Sequence, residues 1–294
     1  MSKNGIAREI IGRVVANHGG TVKLSLPSGE INIVPPRGQH WVVGDLVKVA
    51  GTKPKNLLPR KNLLEREGSR KGREQPLASN LDCLVIVTSS GLAFKPGLID
   101  RFMVAAAYAS IPFILVFNKI DLDYPTEQLN ELGEYEKLGL DVHKVSAKTC
   151  QGIDSLAKRL SGSISAMIGH SGVGKTSLLN HLCPNISKQV GAVHTETERG
   201  RHTTTSALLV NLPSGGGIID SPGLRMFNPV GLDQIDAARF FPGFANLWAK
   251  CKFRNCRHNT EPGCEVKAAI NRGDISKSRY QSYIRLCKSL EKGY

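Results

Sequence analysis

Nine residues constrain the chain more than any others: Gly169-His170-Ser171-Gly172-Val173-Gly174-Lys175-Thr176-Ser177. They fit G-x-x-x-x-G-K-[ST], follow the mostly apolar residues 164–168 and precede the helix-like residues 178–182, the strand-before, helix-after context this motif needs. Gly169, Gly172 and Gly174 let the backbone turn tightly, so that successive N–H groups face a phosphate chain at the positive end of a helix. Lys175 then reaches the β- and γ-phosphates, and the Thr176 hydroxyl ligates Mg²⁺. A glycine turn of no special purpose needs neither Lys-Thr at this offset nor the flanking strand and helix. The loop therefore predicts a nucleotide-binding α/β domain, with His170, Ser171, Val173 and Ser177 completing the cradle.

A chain of 294 residues has room for such a domain with something on each side of it. At 40% hydrophobic residues, without repeats or low-complexity tracts, it reads as soluble and globular. The N-terminal residues lack the apolar stretch of a signal peptide, and the longest apolar run, 103–117, is broken by Ser110 and Pro112 and falls short of the roughly 20 residues of a membrane helix. The expectation is a cytoplasmic protein, monomeric and without a membrane partner. Three of the seven cysteines crowd near one histidine, which favours metal ligation in a reducing compartment over a disulfide frame.

The net charge of +14 is unevenly placed. Residues 1–75 hold 14 Lys/Arg against 6 Asp/Glu, residues 76–231 hold 13 against 13, and residues 232–294 hold 12 against 6. Two basic flanks around a neutral middle point to a polyanion gripped from both sides, and RNA fits better than membrane because no basic amphipathic helix is evident. The first flank, from residue 9 to about 49, has short alternating segments separated by turn residues at 17–20, 27–29 and 35–38. That is a small β-barrel pattern, either an OB-like oligonucleotide-binding barrel or an SH3-like spacer. Residues 53–74, with Arg66, Arg70, Lys71 and Arg73, read as an exposed basic linker able to touch phosphate.

In the middle region, residues 81–88 and 112–117 read as buried strands and 98–110 as a helix. The second strand ends at Asn118-Lys119-Ile120-Asp121, an N-K-x-D sequence whose carboxylate can accept from both guanine N1–H and the 2-amino group. Adenine offers neither donor, so a polar site built this way discriminates strongly. Asn118 can bond the far edge of the base while the stem of Lys119 lies over its plane. A further strand leads to Ser146-Ala147-Lys148, where the Ala147 N–H can meet guanine O6. Residues 152–160 return as a helix to the strand before the phosphate loop, so β and α elements alternate as in a doubly wound sheet.

Beyond the loop, Arg199-Gly200-Arg201-His202-Thr203-Thr204-Thr205 offers Thr203 or Thr204 to sense Mg²⁺ and the γ-phosphate. Strands at 207–212 and 217–219 lead to Asp220-Ser221-Pro222-Gly223, in which Asp220 can hold Mg²⁺ through water and the Gly223 amide can meet the γ-phosphate. In the C-terminal flank, Cys251-x4-Cys256-x-His258-x5-Cys264 supplies three thiolates and an imidazole within 14 residues, a set suited to a closed structural Zn²⁺ site. Lys250, Lys252, Arg254 and Arg257 are interleaved among these ligands. Cys83, Cys150, Cys183 and Cys287 are scattered. Residues 276–290 read as a basic helix, with Arg279, Arg285 and Lys288 available for phosphate.

The guanine-nucleotide signatures stand in the order base, base, phosphate, switch one, switch two, whereas Ras-like proteins place the phosphate loop first. Together with GRHTTT, DSPG, the N-terminal barrel and the C-terminal Cys/His cluster, this order resembles the RsgA (YjeQ) family of circularly permuted ribosome-assembly GTPases over almost the whole chain. The resemblance implies an OB-like β-barrel and linker over 1–74, a permuted P-loop GTPase domain over 75–231, and a zinc-binding helical domain over 232–294. It also implies GTP hydrolysis to GDP, one Zn²⁺ per chain, and late maturation of the small ribosomal subunit with binding to 16S rRNA. Leu224 stands where Ras-like enzymes put the glutamine that orients water. Either His202, matching the family's GRHTTT histidine, supplies that function, or the ribosome completes the site. Two other readings are an RNA-binding nucleotide switch whose hydrolysis is incidental and a GTPase acting on a protein partner.

Overall fold

The computed structural model describes residues 9–51, 53–68, 74–184, 207–225, 227 and 231–291. The middle region is built on parallel strands whose sequences are apolar because both faces are covered. Strands β8 (Cys83–Ser89) and β11 (Ile164–Ile168) are buried at every residue. Around them run β9 (Phe113–Asn118), β10 (Val142–Lys144), β12 (Ala207–Asn211) and β13 (Gly217–Asp220), in the spatial order β10-β9-β8-β11-β13-β12. All neighbours are parallel except β12, which runs antiparallel to β13. Helices α1 (Pro96–Tyr108), α2 (Thr126–Lys137), α3 (Ile153–Leu160) and α4 (Lys175–Leu182) alternate with these strands, and two apolar clusters form. Parallel pairing places the carboxyl ends of β8, β9, β10, β11 and β13 on one side, where open α/β sheets bind ligands.

The N-terminal strands are β1 (Glu9–Asn17), β2 (Val22–Leu26), β3 (Gly29–Ile33), β4 (Leu46–Ala50) and β5 (Lys53–Leu57). They enclose Val14, Val22, Leu24, Trp41, Val47 and Val49 as a separate small core. Strand β1 serves three partners: its first half pairs with β4, its second with β2 across a register shift at Val14/Ala16, and its end with β12. The barrel thereby joins the edge of the main sheet.

The stretch expected to be an exposed linker contains β5, and then β6 (Leu63–Glu67) pairs with β7 (Glu74–Ser79). Its order comes from polar side chains that the charge count concealed. Arg60 grips the fully buried Asp45 through Nε and Nη2 at 2.7 and 2.8 Å, and the Ser79 hydroxyl donates to the same carboxylate at 2.6 Å. Arg66 donates to Gln75 across the hairpin, while Arg70, Lys71 and Arg73 lie outside the described residues. The expected boundary at residue 74 falls on the first residue of β7.

After β13 come the turn α5 (Pro222–Arg225), then α6 (Gln234–Phe240), α7 (Ala245–Trp248), α8 (Glu265–Arg272) and α9 (Lys277–Glu291). Asp233 caps α6, accepting from the N–H groups of Ile235 and Asp236 at 2.7 and 2.8 Å. The C-terminal apolar cluster includes Phe241, Phe244, Tyr283 and Leu286 together with Val104 of α1.

Arg279 departs from the sequence expectation. It is 1% exposed, donates to Asp100 of α1 at 2.6 Å, and is stacked between the rings of Tyr135 and Phe241 at 4.7 and 4.6 Å. The Ser282 hydroxyl and the Tyr135 hydroxyl also donate to Asp100. Arg279 is therefore an internal tie between α9 and the central domain and is not available for phosphate, whereas Arg285 and Lys288 are exposed.

Breaking a buried ion pair on one side leaves an uncompensated charge, so Arg279→Met is expected to lower stability by about 3–5 kcal/mol. Adding Asp100→Leu should recover most of that loss. Urea denaturation of the single and double variants measures both; a loss below about 1 kcal/mol in the single variant would show that the pair does not hold the helices together.

Candidate nucleotide site and metal centre

Strand β11 runs directly into Gly169, where φ is +152° and an added Cβ would lie 2.2 Å from the Val87 carbonyl oxygen of β8. Only glycine allows so close a passage. The loop is pinned in the middle by the fully buried Val173 and ends at Gly174, the left-handed N-cap of α4. The first N–H groups of α4 thus lie at the loop, as an anion site requires. Lys175 spans the loop from inside, its Nζ donating to the carbonyls of Gly169 and His170 at 2.7 and 2.9 Å. Ser171, Thr176 and Ser177 are exposed. Thr176 lines a small cleft with Lys175 and Asp220, so a hydroxyl and a carboxylate, the hard oxygen donors that suit Mg²⁺, meet beside the loop.

The two base-recognition segments are tied to this loop and to each other through Asn118. Its Nδ2 donates to the Val173 carbonyl at 2.9 Å and its Oδ1 accepts from the Ala147 N–H at 3.0 Å. The carboxamide is 1% exposed, and an added Cβ at Gly174 would lie 2.2 Å from its Nδ2. Lys119, at φ +68°, donates to the Gly172 carbonyl at 2.8 Å. The Ala147 N–H, expected to be free for guanine O6, is thus shared with Asn118.

Asp121 is oriented by Ser146, whose hydroxyl donates to it at 2.6 Å and in turn accepts from the N–H groups of Lys148 and Thr149. The Ser146 bond, with Lys148 and Lys119 nearby, holds the Asp121 carboxyl below its ordinary range, in the ionised form that accepts two guanine donors.

On the switch side, Asp220 ends β13 and Gly223 lies in α5 with its N–H donated to the Ser221 hydroxyl at 3.1 Å. Leu224 is 2% exposed and belongs to the main core. The Phe227 ring packs at a tilt against Phe102 of α1, with the centroids 5.6 Å apart. His202, Thr203 and Thr204 lie outside the described residues.

The four predicted metal ligands converge. Cys251 follows α7, Cys256 and His258 lie in the next loop, and Cys264 is the N-cap of α8. Their ligand atoms all fall within 4.8 Å of one another, with His258 Nδ1 at 3.6 and 3.4 Å from the sulfurs of Cys251 and Cys264. Those spacings fit the edges of a tetrahedron with Zn–S of about 2.3 Å and Zn–N of about 2.0 Å.

The Nε2–H of His258 donates to the Ala238 carbonyl at 3.1 Å, which leaves the Nδ1 lone pair directed at the cysteines. Burial holds the imidazole pKa down and keeps the ring neutral. Burial and the neighbouring sulfurs push the Cys256 thiol up to about 12, so ionising it calls for a cation. Tyr280 and Tyr283 of α9 clamp the loop by donating to the carbonyls of His258 and Arg257. All four interleaved basic residues are exposed.

The fold and its converging loops define a P-loop nucleotide-binding protein with its segments in permuted order, carrying a Cys₃His centre in its C-terminal part. The RsgA GTPase family matches residues 57–229, and the chain belongs to that family; it is a GTP hydrolase that uses GTP/GDP and Mg²⁺. It is 40% identical over 234 residues to the small ribosomal subunit biogenesis GTPase RsgA of Chromohalobacter salexigens, covering 79% of this chain and 68% of the relative. The protein of the same name from Ectopseudomonas mendocina is 38% identical over 289 residues, 97% of this chain and 81% of the relative. Among solved structures, YjeQ from Thermotoga maritima superimposes with a TM-score of 0.74 at 29% identity, over 96% of this chain and 99% of that one. YloQ, described as a circularly permuted GTPase, shares the fold with a TM-score of 0.74 at 23% identity, over 99% and 98% of the two chains. No described helix is long and apolar enough to cross a membrane.

In the sequence Ser146 is only one member of a tripeptide, but its hydroxyl is the group that aligns Asp121. Asp45 and Asp100, isolated acids beside apolar residues, are the buried anchors of Arg60 and Arg279.

Asp121→Asn replaces an acceptor with an amide suited to xanthine, so GTP affinity should fall and XTP affinity rise relative to it. A competition assay with both nucleotides checks this; no relative gain for XTP would contradict the placement of the base. Elemental analysis of protein purified without chelator should find about one zinc per chain, and Cys256→Ser should unfold the C-terminal part, as small metal-stapled regions fold with their ion. Metal-free protein with an intact C-terminal part would contradict the centre.

Proposed function

We propose that this chain acts in late maturation of the small ribosomal subunit, binding the particle through 16S rRNA and hydrolysing GTP to GDP and phosphate there. The observation that carries the guanine-nucleotide part is the Asn118 link, which makes one site of a base pocket and a phosphate loop 55 residues apart. The ribosomal part is supported by the relatives' names and by basic flanks on both sides of a neutral middle. In this reading the protein is a cytoplasmic monomer. Strands β1–β5 form an OB-like barrel, the β6–β7 hairpin joins it to the GTPase domain, and the region from residue 232 is the zinc domain.

Asp121 reads the guanine edge, helped by Asn118, Lys119 and the Ser146–Lys148 segment. The N–H groups of residues 169–177 cradle the phosphates, and Lys175 neutralises their charge. Thr176 and Asp220 hold Mg²⁺, which when bound offsets charge on the phosphate oxygens. Thr203 or Thr204 and the Gly223 amide sense the γ-phosphate, and His202 orients the attacking water in place of the missing glutamine. Cys251, Cys256, His258 and Cys264 hold Zn²⁺ as a structural ion.

Switch and C-terminal region share one support. Phe227 and α9 both rest on α1, through Phe102 and Asp100 respectively. Ordering of the segment after Asp220 by GTP therefore bears on the helix that also carries the C-terminal part.

Purified small ribosomal subunits test both halves of the proposal. Turnover should rise when they are added, and at fixed salt their affinity should be at least about tenfold higher with a non-hydrolysable GTP analogue than with GDP, the particle tightening the analogue by the same factor. Unchanged turnover together with equal affinities would contradict the ribosomal role and leave the GTPase assignment standing.

A further inference from the structure

The phosphate loop has a contact that none of the nucleotide signatures accounts for. Lys95, exposed at the N-cap of α1, places its Nζ 3.0 Å from His170 Nε2, and His170 Nδ1 lies 2.8 Å from the Ser171 carbonyl oxygen. The carbonyl can only accept, so Nδ1 carries the proton. An ammonium can only donate, so Nε2 presents its lone pair to Lys95. The hydrogen bonds thus select one neutral tautomer of His170, held from both ends. Lys175 meanwhile donates to the carbonyl of this same residue, and Gly169, just before it, passes within contact of Val87.

We propose that Lys95 is a positioning residue for the phosphates of GTP. Through His170 it ties the first turn of the phosphate loop to the start of α1 and keeps its N–H groups facing the ligand. Lys95 does not replace Lys175, which lies inside the loop. It braces the loop from outside, at the end opposite to the Asn118 and Lys119 contacts with residues 172 and 173.

The inference rests on the loop being the GTP-phosphate site, and the experiment separates the two. Steady-state GTPase kinetics on the full chain should show Lys95→Met raising KM for GTP by about three- to tenfold, with kcat changed less than twofold, the range for a hydrogen bond of one charged partner near the surface. Lys95→Arg should recover most of the loss. In a His170→Ala background Lys95→Met should add nothing.

If Lys95→Met acts equally with and without His170, Lys95 serves only as surface charge and the proposal fails. A fall in kcat at unchanged KM also overturns it. Failure of the site itself reads differently: Lys175→Ala would then leave affinity and turnover for GTP unchanged.

Discussion

The nucleotide site depends on one buried carboxamide. Asn118 stands at the carboxyl end of β9, bonds the Val173 carbonyl in the phosphate loop and accepts from Ala147 in the second base segment. Three loops from three places in the chain are thus held at a common distance by a group shielded from water, where an unmatched amide would be costly. The glycine at 174 is part of the same constraint, because any side chain there would displace the Asn118 amide. Base and phosphates of one ligand can then be gripped together.

This constraint is spatial, so the order of segments along the chain is free. What the site needs is β8, β9, β11 and β13 in parallel with their carboxyl ends together, and that adjacency survives permutation. Permutation changes what the switch is attached to. Here the chain leaves Asp220 for the C-terminal helices, and α1 receives both Phe227 and the Arg279 tie from α9. The segment after Asp220 and the part that carries the Cys/His cluster consequently rest on one helix.

Local chemistry was legible in the sequence. The phosphate loop, Asn118 to Asp121, Asp220 and the Cys/His cluster each declare themselves by residue types at fixed short spacings, and the structure brings Asn118 to the loop, Asp220 to Thr176 and the four Cys/His side chains together. Strands read from apolar runs fell within a few residues of β8, β9 and β11. Partnerships over long separations were not legible: the Arg279 charge looks like any surface arginine until Asp100, 179 residues away, is brought to it. The basic stretch before residue 74 misled for the same reason, because the order of β5 to β7 comes from side chains such as Arg60 and Asn62 bonding groups elsewhere in the chain. Lys95 also meets His170 only through the fold.

Loops tied together through Asn118 should form one guanine-specific site. Calorimetric titration of the full chain with GDP and, separately, ADP in the same Mg²⁺ buffer tests it most directly. A site with an ionised carboxylate oriented for the guanine donors should bind GDP at one equivalent per chain and prefer it over ADP by about 10⁴-fold or more. Comparable affinities for the two nucleotides would contradict the account.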